Sequence, residues 1–192
     1  MKHFKSLRSK IAAFTLIELL VVISIIAVLA SLALPAVTGA LVKGQITQTT
    51  SNYRQLYVLT QSASLDNITA GGAGAFPGDL SNSLTAWSNA LVPSYCSSNT
   101  FASMGMVKAR GSNTLVWFVK SNDDPNTIFV GTAGLGGNSN LITMAPTGPY
   151  QNKGGAFVTV GGSAINITGT NSPALTNGTG LIGTNGSAQF SN

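Results

Sequence analysis

Cysteine and histidine each occur once in the 192 residues, as Cys96 and His3. A single cysteine excludes any intrachain disulfide, so a body outside the cytoplasm would have to be held by packing alone. With its one histidine ahead of the first apolar segment, a processed chain has no Ser-His-Asp or Cys-His arrangement, and it is poor in zinc ligands. Cys96 has no base close to it in sequence and is expected to be a small buried residue. Charge is also scarce, at 8% of residues against roughly 25% in ordinary globular chains. Four of the five units of net positive charge come from the start of the chain, where Lys2, Lys5, Arg8 and Lys10 cluster. From Phe14 onward six basic residues face five acidic ones. A near-neutral body lacks the clustered Lys/Arg of a nucleic-acid footprint, so no nucleic-acid partner is expected. Glycosidase-type carboxylate pairs among Asp66, Asp79, Asp123 and Asp124 have no supporting spacing, and the expectation is that the protein is not an enzyme.

What is present is a long apolar run. "AAFTLIELLVVISIIAVLASLALPAV", residues 12–37, carries a single charge, Glu18. The stretch from Leu19 to Val37 holds none and would span about 28 Å as a helix, close to the ~30 Å hydrocarbon core of a bilayer. Basic residues before it, and none after it until Lys43, put the N-terminus in the cytoplasm and the body outside. A secretory signal peptide cut near Ser31 and Ala33 and an uncleaved signal anchor both fit the hydropathy. Neither accounts for Glu18, because a carboxylate at bilayer depth costs a few kcal/mol and implies a partner. A Glu snorkelling to the interface is the plainer reading of that residue.

The order of residue types in "AFTLIELLVVISIIAVLASLALPAV" resembles the N-terminal signature of type IV prepilins and type II secretion pseudopilins. The likeness rests on the short basic leader, a small residue before Phe14, then Thr15, Glu18, the Leu/Val/Ile run and Pro35. It implies cleavage by a prepilin peptidase between Ala13 and Phe14 and N-methylation of Phe14. The family usually has Gly where this chain has Ala13. Thr15 and Glu18 would then be assembly residues, with Glu18 neutralising the new α-amine of a neighbouring subunit. Such a pair sets register, since breaking it strands a charge in low dielectric. Pro35 would mark a helix kink or local unwinding, the alternative being that it only ends the membrane span. The implied partners are identical or related pilin-like subunits, the peptidase, an inner-membrane assembly platform, and membrane lipid before assembly.

The organisation read from this is a cytoplasmic leader (1–13), a transmembrane and assembly helix (14–37), an amphipathic stem helix (38–68) and a β-rich extracytoplasmic body (69–192). In the stem, Val42, Ile46, Tyr53, Leu56, Tyr57 and Ala63 share one broad face. "TAGGAGAFPGDL" separates stem from body. Leu80, Leu84, Trp87 and Leu91 predict a short helix that Asp79 could cap, with Trp87 in the core. "NTLVWFVKS" and "NTIFVGT" flank the turn-rich "NDDPN" as a hairpin. "NLITMAP", "GAFVTVGG" and "AINITG" have strand length. The tail from 169 predicts a thin hairpin around "LIG" and "AQF", or a loosely held end. The fold class is thus α+β, a long N-terminal helix packed on a small antiparallel sheet, which also matches the pilin-like architecture the resemblance implies.

The one oxygen-rich cluster is "SNDDPN", residues 121–126. Asp123 and Asp124 could offer hard ligands to calcium, although Asp, Pro and Asn are also what a hairpin tip favours. No other cofactor is expected. Asn-x-Ser/Thr triplets at Asn67, Asn166, Asn177 and Asn185 are weak signals in so Asn- and Thr-rich a chain. The expected role is a filament subunit, with a secretion pseudopilin favoured because the chain lacks the C-terminal cysteine pair common in pilins. A type IV pilin remains the alternative within that class. A carbohydrate-binding module with a mere export signal is the rival outside it. The expected location is the inner membrane, single-pass, then a periplasmic or surface filament.

Overall fold

The computed structural model describes residues 14–105, 114–138, 141–144, 148–150, 153–169, 171–173 and 187–189. Two compact units are present, Met1–Ala40 and Leu41–Asn192. Helix α1, Leu16–Thr69, contributes to both. In the first unit every described residue from 14 to 38 is exposed, and the run is apolar all round. A helix of that kind belongs in a membrane or among other helices. Helical structure continues without interruption through Pro35, and Thr38 Oγ1 donates to the Pro35 carbonyl at 3.0 Å. Local unwinding at Pro35 is therefore absent here. One proline removes a single backbone bond, and long helical flanks carry the chain across it.

In the second unit the stem buries Ile46, Thr49, Tyr53, Leu56, Thr60 and Ala63, a spacing that alternates three and four. Val42 and Tyr57, expected on this face, are half-buried at its margin. Two threonines take core positions instead, because each hydroxyl has a partner. Thr49 Oγ1 bonds the Tyr150 hydroxyl at 2.5 Å. Thr60 Oγ1 accepts from Trp87 Nε1 at 3.1 Å and donates to the Leu56 carbonyl at 2.8 Å. Between them, the Tyr53 hydroxyl meets Thr114 Oγ1 at 2.7 Å. Thr60, Tyr53 and Trp87 are fully buried, where a polar group is tolerated only when hydrogen-bonded. The helix stops where Gly71 takes a left-handed φ of 83° and the Gly72 amide turns back to the Asn67 carbonyl at 2.9 Å, a glycine C-terminal cap.

Helix α2, Leu84–Leu91, buries Trp87 and Leu91 as expected. Its cap is Ser83, whose side chain accepts from the Ala86 amide at 3.2 Å. Asp79 does not cap it. Left-handed Ser81 and Asn82 break the chain between Asp79 and the helix, and Asp79 Oδ2 instead accepts from the Phe76 and Ser121 amides at 3.3 and 3.0 Å. Helix α3, Ser98–Gly105, was not evident in the sequence pattern; it buries Phe101 and Met104, and the Ser97 hydroxyl accepts from the Thr100 amide at 3.2 Å. Phe76, Phe129, Trp87 and Phe101 form an edge-to-face chain with ring centroids 5.1 to 5.6 Å apart, a geometry aromatic quadrupoles favour.

Strands β1 (Thr114–Trp117), β2 (Ile128–Thr132), β3 (Leu135–Asn138), β4 (Leu141–Met144), β5 (Gly154–Thr159), β6 (Ala164–Thr168), β7 (Asn171–Pro173) and β8 (Ser187–Gln189) follow. They form a five-stranded sheet in the order β6-β5-β2-β1-β8 and a three-stranded one, β3-β4-β7. All pairings are antiparallel. The expected β1–β2 pair is present, and β5 pairs with β6. Of the hairpin expected around "LIG" and "AQF", "LIG" lies outside the described residues; β8 lines up on β1, Leu115 opposite Gln189. Strands β2 and β5 are buried along their whole lengths, consistent with central positions between the stem helix and the rest of the body. The arrangement is α+β and pilin-like: a long N-terminal apolar helix whose distal part packs on a small antiparallel sheet.

Candidate functional site at the start of the long helix

The first turn of α1 is built by four residues, Thr15-Leu16-Ile17-Glu18. Glu18 Oε2 accepts from the Thr15 backbone amide at 2.8 Å and from the Thr15 hydroxyl at 2.7 Å. Thr15 Oγ1 accepts in return from the Glu18 amide at 3.3 Å. This reciprocal pair is a capping box, with Thr15 as N-cap and Glu18 as the third helical residue. It satisfies amides that a helix N-terminus otherwise leaves unbonded, and the carboxylate also sits at the positive end of the helix dipole. The sequence signal for this cap is a Thr three residues before a Glu at the edge of an apolar run.

The box uses Oε2 twice and leaves Oε1 without a protein partner among the described residues. Around it the surface is apolar: Phe14 and Leu16 are 79% and 81% exposed, and Ile17, Leu19, Ile23 and Ile26 are exposed as well. An uncovered apolar surface of this extent calls for lipid or another protein. By length and composition α1 can cross a membrane. A carboxylate with one open oxygen, set in such a surface, can accept one further charged donor.

Of the other residues expected to matter, Ala13 and the basic leader lie outside the described residues. Phe14 and the Thr15–Glu18 pair stand together at the start of α1. Asp123 and Asp124 sit in the β1–β2 connection of the other unit, each engaged in local turn bonding. Asp123 Oδ2 accepts from the Lys120 amide at 2.8 Å, and Asp124 Oδ1 from the Asn126 amide at 2.7 Å. Among the described residues no three His, Cys, Asp or Glu side chains gather to hold a metal. Cys96 is half-buried, with Sγ 3.9 Å from the Leu91 carbonyl. Burial pushes its thiol pKa up, the direction that suppresses the nucleophilic thiolate.

The long apolar N-terminal helix, capped by a Thr/Glu box, continues into an α+β body, a pilin-like arrangement. Residues 8–34 match the family described as the prokaryotic N-terminal methylation motif, so the chain carries the prepilin-type N-terminal signal. No curated protein and no solved structure matches the chain.

Proposed function

We propose that this protein is a structural subunit of a pilus-like filament, held in the cytoplasmic membrane as a precursor. A prepilin peptidase cuts it between Ala13 and Phe14, Phe14 is N-methylated, and subunits then stack through their N-terminal helices on an inner-membrane platform. The observation that carries this reading is the half-satisfied Glu18. In the lone subunit Thr15 holds the carboxylate in place, which lowers the cost of keeping it near hydrocarbon. On assembly, the open Oε1 receives the α-amine of a neighbouring Phe14. Thr15 then positions the acceptor, and the neighbour's amine removes the isolated charge. The lack of a C-terminal cysteine pair favours a type II secretion pseudopilin; a type IV pilin is the second reading.

The test begins with the N-terminus and intact mass of the membrane-extracted protein. A chain starting at Phe14 and heavier by one methyl group supports the proposal. One starting near Leu34, or still at Met1, overturns it. Filament yield of Glu18→Ala should then fall at least tenfold while insertion persists, because a charge that costs about 2.5–3.5 kcal/mol at bilayer depth has been removed. Normal yield in that variant would refute the role given to Glu18.

A further inference from the structure

The second unit carries a pocket of about 250 Å3 between the stem helix and the β5–β6 hairpin, lined by Lys43, Ile46, Thr47, Lys153, Asn166 and Ile167. Two lysines from distant parts of the sequence converge there. Neither has a side-chain hydrogen-bond or ion-pair partner among the described residues. All five Asp and Glu side chains are described, and none lines the pocket. Both lysines are solvent-exposed, so their ammonium groups are open to an incoming anion. The remaining polar groups offer one acceptor and one donor. The Thr47 hydroxyl donates its proton to the Lys43 carbonyl at 3.0 Å, which fixes its position and leaves its oxygen as an acceptor. The Asn166 Oδ1 is occupied by the Thr50 hydroxyl, so its NH2 group is left as a donor.

The position of Lys43 along α1 selects the anion. It is the first charged residue after Glu18 and lies about 9 Å of helix beyond Val37, roughly where the 5–8 Å headgroup layer of a bilayer falls once the apolar run spans the hydrocarbon. Cα–Cβ bonds of a helix tilt toward its N-terminus, which for α1 is toward the apolar run. Ile46 and Ile167 supply an apolar floor, and Ile46 is buried.

We propose that this pocket binds the phosphodiester headgroup of an anionic glycerophospholipid through Lys43 and Lys153, with Thr47 and Asn166 directed at the headgroup hydroxyls. The membrane-stored subunit is thereby fixed at one depth before it enters a filament. This rests on the membrane-stored reading above.

Native mass spectrometry of the full chain in detergent, titrated with phosphatidylglycerol, tests the site. One retained lipid per chain is expected. Lys43→Gln and Lys153→Gln should each weaken retention about fivefold, the double variant about 25-fold, while Lys153→Arg and Lys120→Gln change little. Unchanged retention in the double variant overturns the proposal. So does binding of inorganic phosphate as tight as that of the lipid, which would make this a site for soluble phosphate. If the double variant keeps the lipid but loses filament yield, the lysines meet a carboxylate of a second copy and the lipid site is again overturned. A chain that is cut before Phe14 yet ignores the lipid refutes this inference alone. A chain that still begins at Met1 refutes the filament reading, and the titration still reports on the pocket, which lies wholly within the second unit.

Discussion

Replacing Thr60 with Val tests whether hydroxyls in the stem seam stabilise the body or are merely tolerated there. Valine matches threonine in shape, so packing against Leu56 and Trp87 is retained. What is lost is the acceptor for Trp87 Nε1, 3.1 Å away. Both residues are fully buried, so water cannot replace it, and an orphaned buried donor costs about 1–3 kcal/mol. With a urea slope near 2 kcal/mol per molar, the unfolding midpoint should drop by about 1 M with the slope unchanged. The companion variant Trp87→Phe removes the donor and loses part of the edge-to-face contacts with Phe101 and Phe129. In that background Thr60→Val should be nearly neutral, since no donor is left stranded; the Thr60 bond to the Leu56 carbonyl then accounts for the small remainder. The double-mutant cycle therefore predicts a coupling of about 1–2 kcal/mol. Urea titrations followed by far-ultraviolet circular dichroism measure all four proteins. A coupling under 0.3 kcal/mol would show that the indole finds another acceptor and that the seam threonine contributes only shape.

Two further perturbations probe the same body. Gly162 has a φ of 81° and a Cβ there would lie 2.7 Å from Tyr57 Cε1, so Gly162→Ala should cost about 2 kcal/mol, whereas Gly44→Ala, where a Cβ meets nothing within 4 Å, should add up to about 1 kcal/mol through helix propensity; thermal melts that rank the two the other way would contradict the placement of Tyr57. Burial holds the Tyr53 phenol protonated far above its ordinary range, while the unfolded chain releases that proton near pH 10. Stability from Tyr53 is thus complete below about pH 10 and declines above it by about 1.4 kcal/mol per pH unit. Urea midpoints at pH 9, 10 and 11 should show that decline, and Tyr53→Phe should reduce it, leaving the share of Tyr150, held up by burial, and of Tyr95, held up by its bond to Asp66.

The helices that sequence pattern predicts well are those whose periodicity is carried by large apolar residues. The apolar run and the Leu84–Trp87–Leu91 stripe were legible for that reason, and strands 114–117, 128–132 and 154–159 were legible as short runs holding β-branched and aromatic residues. The seam of α1 was only half legible. Tyr53 and Leu56 mark it, but Thr49 and Thr60 read as weak helix formers until Tyr150 and Trp87 supply their partners, and those partners are remote in sequence. Helix α3 was missed because Phe101 and Met104 are its only large buried side chains. Strand β3, "LGGN", was missed because glycine carries no strand signal, and its pairing with β4 is a tertiary fact. At the candidate site the residues were legible and the geometry was not. Thr15 and Glu18 stood out by resemblance, yet their bonding to each other follows from the three-residue spacing that defines a cap.

The strand order has a consequence for how the protein is made. β8 comes from Ser187–Gln189 and covers the outer edge of β1, which is made some seventy residues earlier. Until β8 is made, the Thr114–Trp117 edge offers unpaired amides and carbonyls to any passing strand. A chain cut between β1 and β8 keeps the same N-terminal helix and signal but displays an adhesive strand.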